Sequence, residues 1–185
     1  MKFVPFPKIA RLSREIIITE KIDGTNASIH ISEDGQFLVG SRTRWITPQD
    51  DNFGFARWAN ENKSELMKLG VGAHFGEWWG QGIQRNYSQT QKIFSLFNTS
   101  RWSDDAVRPS CCRVVPVLYS GPMEEFGVMK GVKQAINALR NNGSVAAPGF
   151  MKPEGIVVYH PQGNILFKKT LEKDDEPKSK HAVAA

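Results

Sequence analysis

Along this chain the apolar residues come mostly in short β-branched and aromatic runs, broken by polar, glycine and proline clusters. That is the pattern of strands joined by turns. Glu15 to Ile22 opens with Ile16-Ile17-Ile18 and reads as a strand. Ala27 to Ile31 and Phe37 to Arg42 read as a hairpin, because Asp34-Gly35 between them suits the positive φ of a tight turn. "RWITPQDD" follows as loop. Phe55, Trp58, Ala59, Leu66 and Leu69 then recur at helical spacing and Gly70 stops the pattern, which predicts a helix over Asn52 to Leu69. "VGAHFGEWWG" returns to strand and ends in a glycine-rich turn. "QKIFSLFN" reads as a strand, "NTSRWSDDAVRPS" as a polar loop, and "CCRVVPVLYS" as a strand whose Pro116 marks an edge or an irregularity. Lys130 to Arg140 is amphipathic and helical, and "GIVVYH" and "NILFKKTLE" form a hairpin across "PQG". From Lys173 the chain is charged and lacks aromatics, the composition of a loose tail. Hairpin-linked strands with two main helices predict an α+β fold with antiparallel sheets.

Composition changes this picture only a little. A chain of 185 residues suits one domain with a real core. Its 24 Lys and Arg against 19 Asp and Glu give a net charge of +5, which favours a polyanionic partner without requiring one. The only cysteines, Cys111 and Cys112, are adjacent, so they cannot staple a fold and lack the partners of a zinc site. They read as reduced thiols. His30, His74 and His160 lack metal-ligand spacing and read as surface or satisfied histidines. The amino terminus has no apolar core of signal length and no run approaches ~18 apolar residues, so a soluble, cytoplasmic protein without a membrane partner is expected.

Candidate chemistry lies where charges interrupt strands: Glu20-Lys21-Ile22-Asp23-Gly24, Gly76-Glu77-Trp78-Trp79-Gly80, Pro153-Glu154-Gly155-Ile156 and Phe167-Lys168-Lys169-Thr170. Singly, each is an ordinary solvated strand end. Together they place carboxylates and lysines at the ends of several strands, which is costly unless the charges pair or bind something. Trp78 and Trp79 either stack on bases or divide between core and rim, and the second reading is favoured.

These segments resemble the motifs of the covalent nucleotidyltransferases. "EKIDGTN" is similar to the Lys-x-Asp/His-Gly-x-Asn/Arg nucleophile signature of polynucleotide ligases and capping enzymes, in the form kept by the RNA ligase 2-like branch. "FGEWWGQGIQ", "FSLFN", "PEGIVVYH" and "LFKKTLEKDD" resemble the later motifs, in the family's order. The resemblance implies a nucleotidyltransferase fold (the adenylylation domain of ATP-dependent ligases), with antiparallel sheets flanked by helices and a nucleotide cleft between them. It implies a domain over residues 1–172, a flexible tail over 173–185, and no OB-fold or other C-terminal domain.

The activity so implied is ATP-dependent joining of polynucleotide ends, RNA favoured over DNA, between a 5′-phosphate and a 3′-hydroxyl. Lys21 would attack the α-phosphate of ATP to form lysyl-AMP. A lysine amine of ordinary pKa ~10.4 costs roughly 4–5 kcal/mol to present neutral at pH 7, so desolvation and a nearby cation, here Lys168, would help. Glu20 would read the adenine edge, and Ile22, Asp23, Gly24 and Asn26 would line the nucleotide site, Gly24 by letting the backbone pass close to the phosphates. Arg42, or alternatively Arg44, would contact the nucleotide and the polynucleotide end. Glu77 would accept the ribose hydroxyls, and Phe97, or alternatively Phe94, would stack on adenine. Glu154 would hold Mg²⁺, with Mn²⁺ as a substitute, and Lys168 would bind the α-phosphate. The commonest fifth motif is Lys-x-Lys; here alternation from Lys168 reaches Thr170, and Lys169 faces the other way. Lys168 is preferred, with Lys169 open. A partner protein that grips the ends is compatible with the missing appended domain. The alternatives are a GTP-using capping-type guanylyltransferase and an idle nucleic-acid-binding module of the same fold.

Overall fold

The computed structural model describes residues 1–123 and 129–174, and the predicted tail lies, from residue 175 on, outside them. Isoleucine alternation makes the first strand, β1 (Glu15–Lys21): Ile16, Ile18 and Glu20 point to one face, Ile17, Thr19 and Lys21 to the other. It is central in a four-stranded sheet of order β10-β9-β1-β8, completed by β8 (Val117–Pro122), β9 (Gly155–His160) and β10 (Ile165–Thr170). The helix α4 (Lys130–Asn142) covers this sheet and buries Ala135, Ile136 and Leu139 against Ile16, Ile18, Ile156 and Val158.

A six-stranded sheet, order β4-β3-β2-β5-β6-β7, holds β2 (Thr25–Ile31), β3 (Phe37–Gly40), β4 (Trp45–Ile46), β5 (Gly72–Gly80), β6 (Lys92–Leu96) and β7 (Cys112–Val114). Its inner face packs on α1 (Phe55–Glu61) and α2 (Lys63–Leu66), around Phe55, Leu66, Trp78 and Phe94. The hairpin turn predicted at Asp34-Gly35 is present, with Gly35 at φ 80°. The chain crosses between the sheets at Ile22–Gly24 and again at Val115–Pro116, and a small cluster of Ile22, Trp79, Tyr87, Val115 and Ala147 seals the junction.

Several local expectations need correction. "CCRVVPVLYS" is two strands in different sheets, because Pro116 has no N–H for a ladder and its carbonyl instead accepts from Glu20 N at 3.0 Å. β6 and β7 pair in parallel, so the sheets are not wholly antiparallel. The long helix begins at Phe55, after Phe53 and Gly54 at φ 52° and 80°, and breaks at Asn62, whose side chain bonds Trp58 O. The strand expected to reach Arg42 stops at Gly40, and "RWITPQDD" contains β4. The polar loop contains α3 (Thr99–Trp102), which buries Trp102. Trp78 and Trp79 do divide between the faces of β5, but both are fully buried and neither forms a rim: Trp78 Nε1 donates to Phe53 O and Trp79 Nε1 to Ser95 Oγ.

Candidate active site

Strand register brings the charged ends together. Lys21 pairs with Gly155, so Glu154, the residue before β9, lies beside the lysine. The Lys21 amine donates to Glu154 Oε2 at 2.5 Å; Glu154 is 1% exposed, whereas the lysine side chain keeps 22% of its surface. From Lys21 the chain turns at once into the crossing to β2. Gly24 sits over β5 at such short range that a Cβ would lie 2.4 Å from Trp78 O and 2.7 Å from Trp79 Cβ. The glycine is therefore required by sheet packing, independently of any phosphate.

That close approach delivers Gly24 N to Glu77 Oε1 at 3.0 Å, and Asn26 Nδ2 donates to Glu77 Oε2 at 3.3 Å. Burial pushes the Glu77 carboxyl up to about 7, the charge of Lys21 and the Gly24 N–H drawing it back, and Glu154 and Asp23 adding to the rise. One cleft thus joins an amine and several acids within electrostatic reach, with Glu77 poised to titrate near neutrality.

Two residues that the motifs passed over fasten this arrangement from behind. Arg85 Nε donates to Asp23 Oδ2 and its Nη1 to Lys152 O, each at 3.0 Å, so one guanidinium ties the loop after Lys21 to the loop before Glu154. Tyr87, fully buried, accepts the Asp23 N–H at 2.9 Å. Their loop holds Gln84, Asn86, Tyr87 and Ser88 at φ between 45° and 61°, left-handed geometry that side chains adopt only when their surroundings dictate it. The signal available in the sequence was an arginine and a tyrosine in the turn following Glu77.

The remaining candidates fall in different places. Glu20 lies on the opposite face from Lys21. Its carboxylate accepts Ser144 Oγ at 2.6 Å, Val145 N at 2.8 Å and Ala146 N at 2.9 Å, and burial raises its pKa against these bonds. Ile22 is core. Phe94 is fully buried against Phe55 and Trp58, whereas Phe97, just past β6, is 40% exposed. Arg42 is exposed and Arg44 is paired with Asp50. Lys168 pairs with Val157 and Thr170 with Gly155, which puts both on the Lys21 face; Lys168 is exposed. Lys169 lies on the other face, bonded to Asp174 at 2.9 Å. A concavity of about 240 Å³ lies among Met123, Met129, Val132 and Phe167, with Lys168 and Lys169 also lining it. His74 and His160 are buried and bonded to Gly70 O and Leu12 O.

Residues 14–173 match the model of one protein family, described as RNA ligase. Solved structures of Naegleria gruberi RNA ligase share the fold. A mutant with ATP and Mn has 20% identity over 87% of this chain and 51% of that one, with a TM-score of 0.63. A mutant with AMP and Mn has 20% over 86% and 50%, with a TM-score of 0.62. The form with PPi has 21% over 85% and 50%, with a TM-score of 0.61. The chain spans about half the length of these structures. No helix among the described residues is long and apolar enough to cross a membrane.

Proposed function

Because the chain belongs to the RNA ligase family, we propose that it is an ATP-dependent polynucleotide ligase that carries AMP on Lys21, of the RNA ligase 2-like branch, acting on RNA ends in preference to DNA. The observation that carries this reading is the Lys21 amine, partly exposed at a strand end and held 2.5 Å from a buried carboxylate. A lysine placed only for solubility needs no such partner.

In the first step the Lys21 nitrogen bonds to the α-phosphorus of ATP and the bond to pyrophosphate breaks. Glu154 orients the amine beforehand and is the acceptor within reach of its proton. Glu77 retains acceptor capacity for ribose hydroxyls, since each of its oxygens receives one donor and a carboxylate takes about four. Phe97 offers a ring to the base, and Lys168 a cation to the phosphates from the shared face. Asp23 and Asn26 shape the pocket, Asp23 through Arg85 and Asn26 through Glu77, while Arg42 meets the nucleotide or the incoming end. A 5′-phosphate oxygen then attacks the lysyl-bound phosphorus and the N–P bond breaks. Attack by a 3′-hydroxyl finally releases AMP and joins the strands.

Among the described residues no acidic, histidine or cysteine side chains are grouped as a ready-made metal cage. This fits Mg²⁺ or Mn²⁺ held by Glu154 alone, because such an ion takes one or two carboxylates and completes its shell with water and phosphate oxygens. Bound there, it would offset charge on the phosphates. Neighbours solved with ATP or AMP and Mn support the choice of nucleotide and metal.

Intact-mass spectrometry after exposure to ATP and Mg²⁺ tests the reading. The wild-type protein should gain the mass of AMP, Lys21→Ala should gain nothing, and GTP should not replace ATP. A wild-type mass that never rises would overturn it.

A further inference from the structure

The face of the six-stranded sheet that carries Glu77 continues past the nucleotide site. Along β5, residues of this face go from Trp79, fully buried, through Glu77, 9% exposed, to Phe75, 56% exposed. Cross-strand pairing sets Phe75 opposite Ser28, Ser28 opposite Gly40 and Gly40 opposite Trp45, so Phe75 and Trp45 stand in one row on one face. Trp45 is 56% exposed, while the other tryptophans are buried or half-buried. The His30 ring lies between the two aromatics, 4.7 Å from Trp45 at 81° and 5.8 Å from Phe75 at 87°, and its Nε2 is 3.1 Å from Ser28 Oγ. Such a brace fixes both rings before anything binds. Cations flank the row: Arg42 lies in the β3–β4 turn, and Arg113 pairs across to Ser95, which in turn pairs with Glu77.

We infer that this row is a stacking platform for the unpaired bases of the polynucleotide whose end enters the cleft, with Arg42 and Arg113 meeting its phosphates. The inference rests on the ligase reading and extends it to the substrate class: ends with an unpaired stretch. Three observations choose this occupant. The platform is continuous with the proposed reaction site, beginning one step of about 7 Å along β5 from Glu77. Exposed aromatics interleaved with arginines suit a chain of π-faces and phosphates, and the +5 charge attracts it. Bases in a duplex have their faces covered and cannot use such rings.

Binding of a short single-stranded oligoribonucleotide to the whole chain, without ATP and at fixed salt, tests this. Trp45 fluorescence should be quenched on binding. Trp45→Leu and Phe75→Leu should each weaken affinity at least about fivefold, the lower bound for losing a stacked base, and Trp45→Phe should recover most of it. A blunt duplex of the same sequence should bind the leucine variants and the wild type alike. Leucine variants that bind the single strand like wild type would overturn the proposal, as would an equal loss of duplex binding. So would leucine variants that change only the concentration-dependent mass of the protein in sedimentation, which would make this face an interface between copies. Failure of the ligase reading is separable: a wild-type protein that binds unpaired RNA through Trp45 yet never gains AMP sinks the chemistry and leaves the platform.

Discussion

Glu20 and Glu77 are both buried carboxylates at strand positions where an apolar residue is the rule, yet the regions around them are built to different ends. Around Glu20 the loop after α4 closes completely, presenting a hydroxyl and two backbone N–H groups to an acid that is 1% exposed. Around Glu77 the walls stop short. Two donors reach it, one of them at 3.3 Å, and its carboxyl is pushed up to about 7. The first region is saturated and fastens a loop to β1. The second is left unfinished on the side that faces Lys21, where a ligand could complete it. Donor count separates these two acids more sharply than burial does.

The comparison breaks most plainly at Glu20. Glu20→Ala should remove the acceptor of three donors and lower stability by about 3 kcal/mol, read as a melting temperature lower by roughly 10 °C. Glu20→Gln should cost less, because its carbonyl can still accept the Val145 and Ala146 N–H groups while its amide faces the Ser144 hydroxyl, which can accept. If Glu20→Ala melts like wild type and instead alters the preference between ATP and GTP, Glu20 reads the base and the contrast with Glu77 fails.

Glu77 should reveal itself in the dependence of stability on pH. Its folded-state pKa, about 7, lies above the ordinary carboxylate value of 4.5, so the folded protein holds this proton more tightly than the unfolded chain. The resulting stability is fully present below pH 4.5, declines as pH rises to 7 and is gone above it, a swing of about 3 kcal/mol. Glu77→Gln removes the titration. The melting temperature of the variant should therefore gain on wild type between pH 4.5 and 7 and hold that lead above. A difference between the two that is flat across this range would show that the fold does not hold the Glu77 proton.

Much of this contrast was legible in the sequence as position, and little of it as partnership. Charges interrupting apolar runs mark Lys21, Glu77 and Glu154, and register alone carries Lys21 to Glu154, because β1 and β9 pair at Gly155. Alternation likewise separates Lys168 from Lys169. Periodicity cannot reveal which sheet a run joins, which is why one apolar stretch concealed the change of sheet at Pro116. Nor can it reveal that Ser144, 124 residues from Glu20, closes that acid, or that Arg85 clamps Asp23 and Lys152 together. These contacts depend on loops whose paths are set by packing: Tyr87 takes φ 50° because its buried ring and its hydroxyl leave it no better place.

The finest division of the two regions concerns a single hydroxyl. Ser144 Oγ donates to Glu20 Oε1 at 2.6 Å and accepts the Ala147 N–H at 3.0 Å, so it both satisfies the acid and holds the loop in the shape that delivers the Val145 and Ala146 N–H groups. Ser144→Ala removes only this relay and leaves the two backbone donors to Glu20 Oε2. The expected cost is about 1 kcal/mol, a fall of roughly 2–4 °C in melting temperature. Combined with Glu20→Ala, the second substitution should cost far less than it does alone, because its acceptor has already gone. Strictly additive losses in that double-mutant cycle would mean that the loop stands without the acid, and the saturated region would then be no more finished than the cleft opposite.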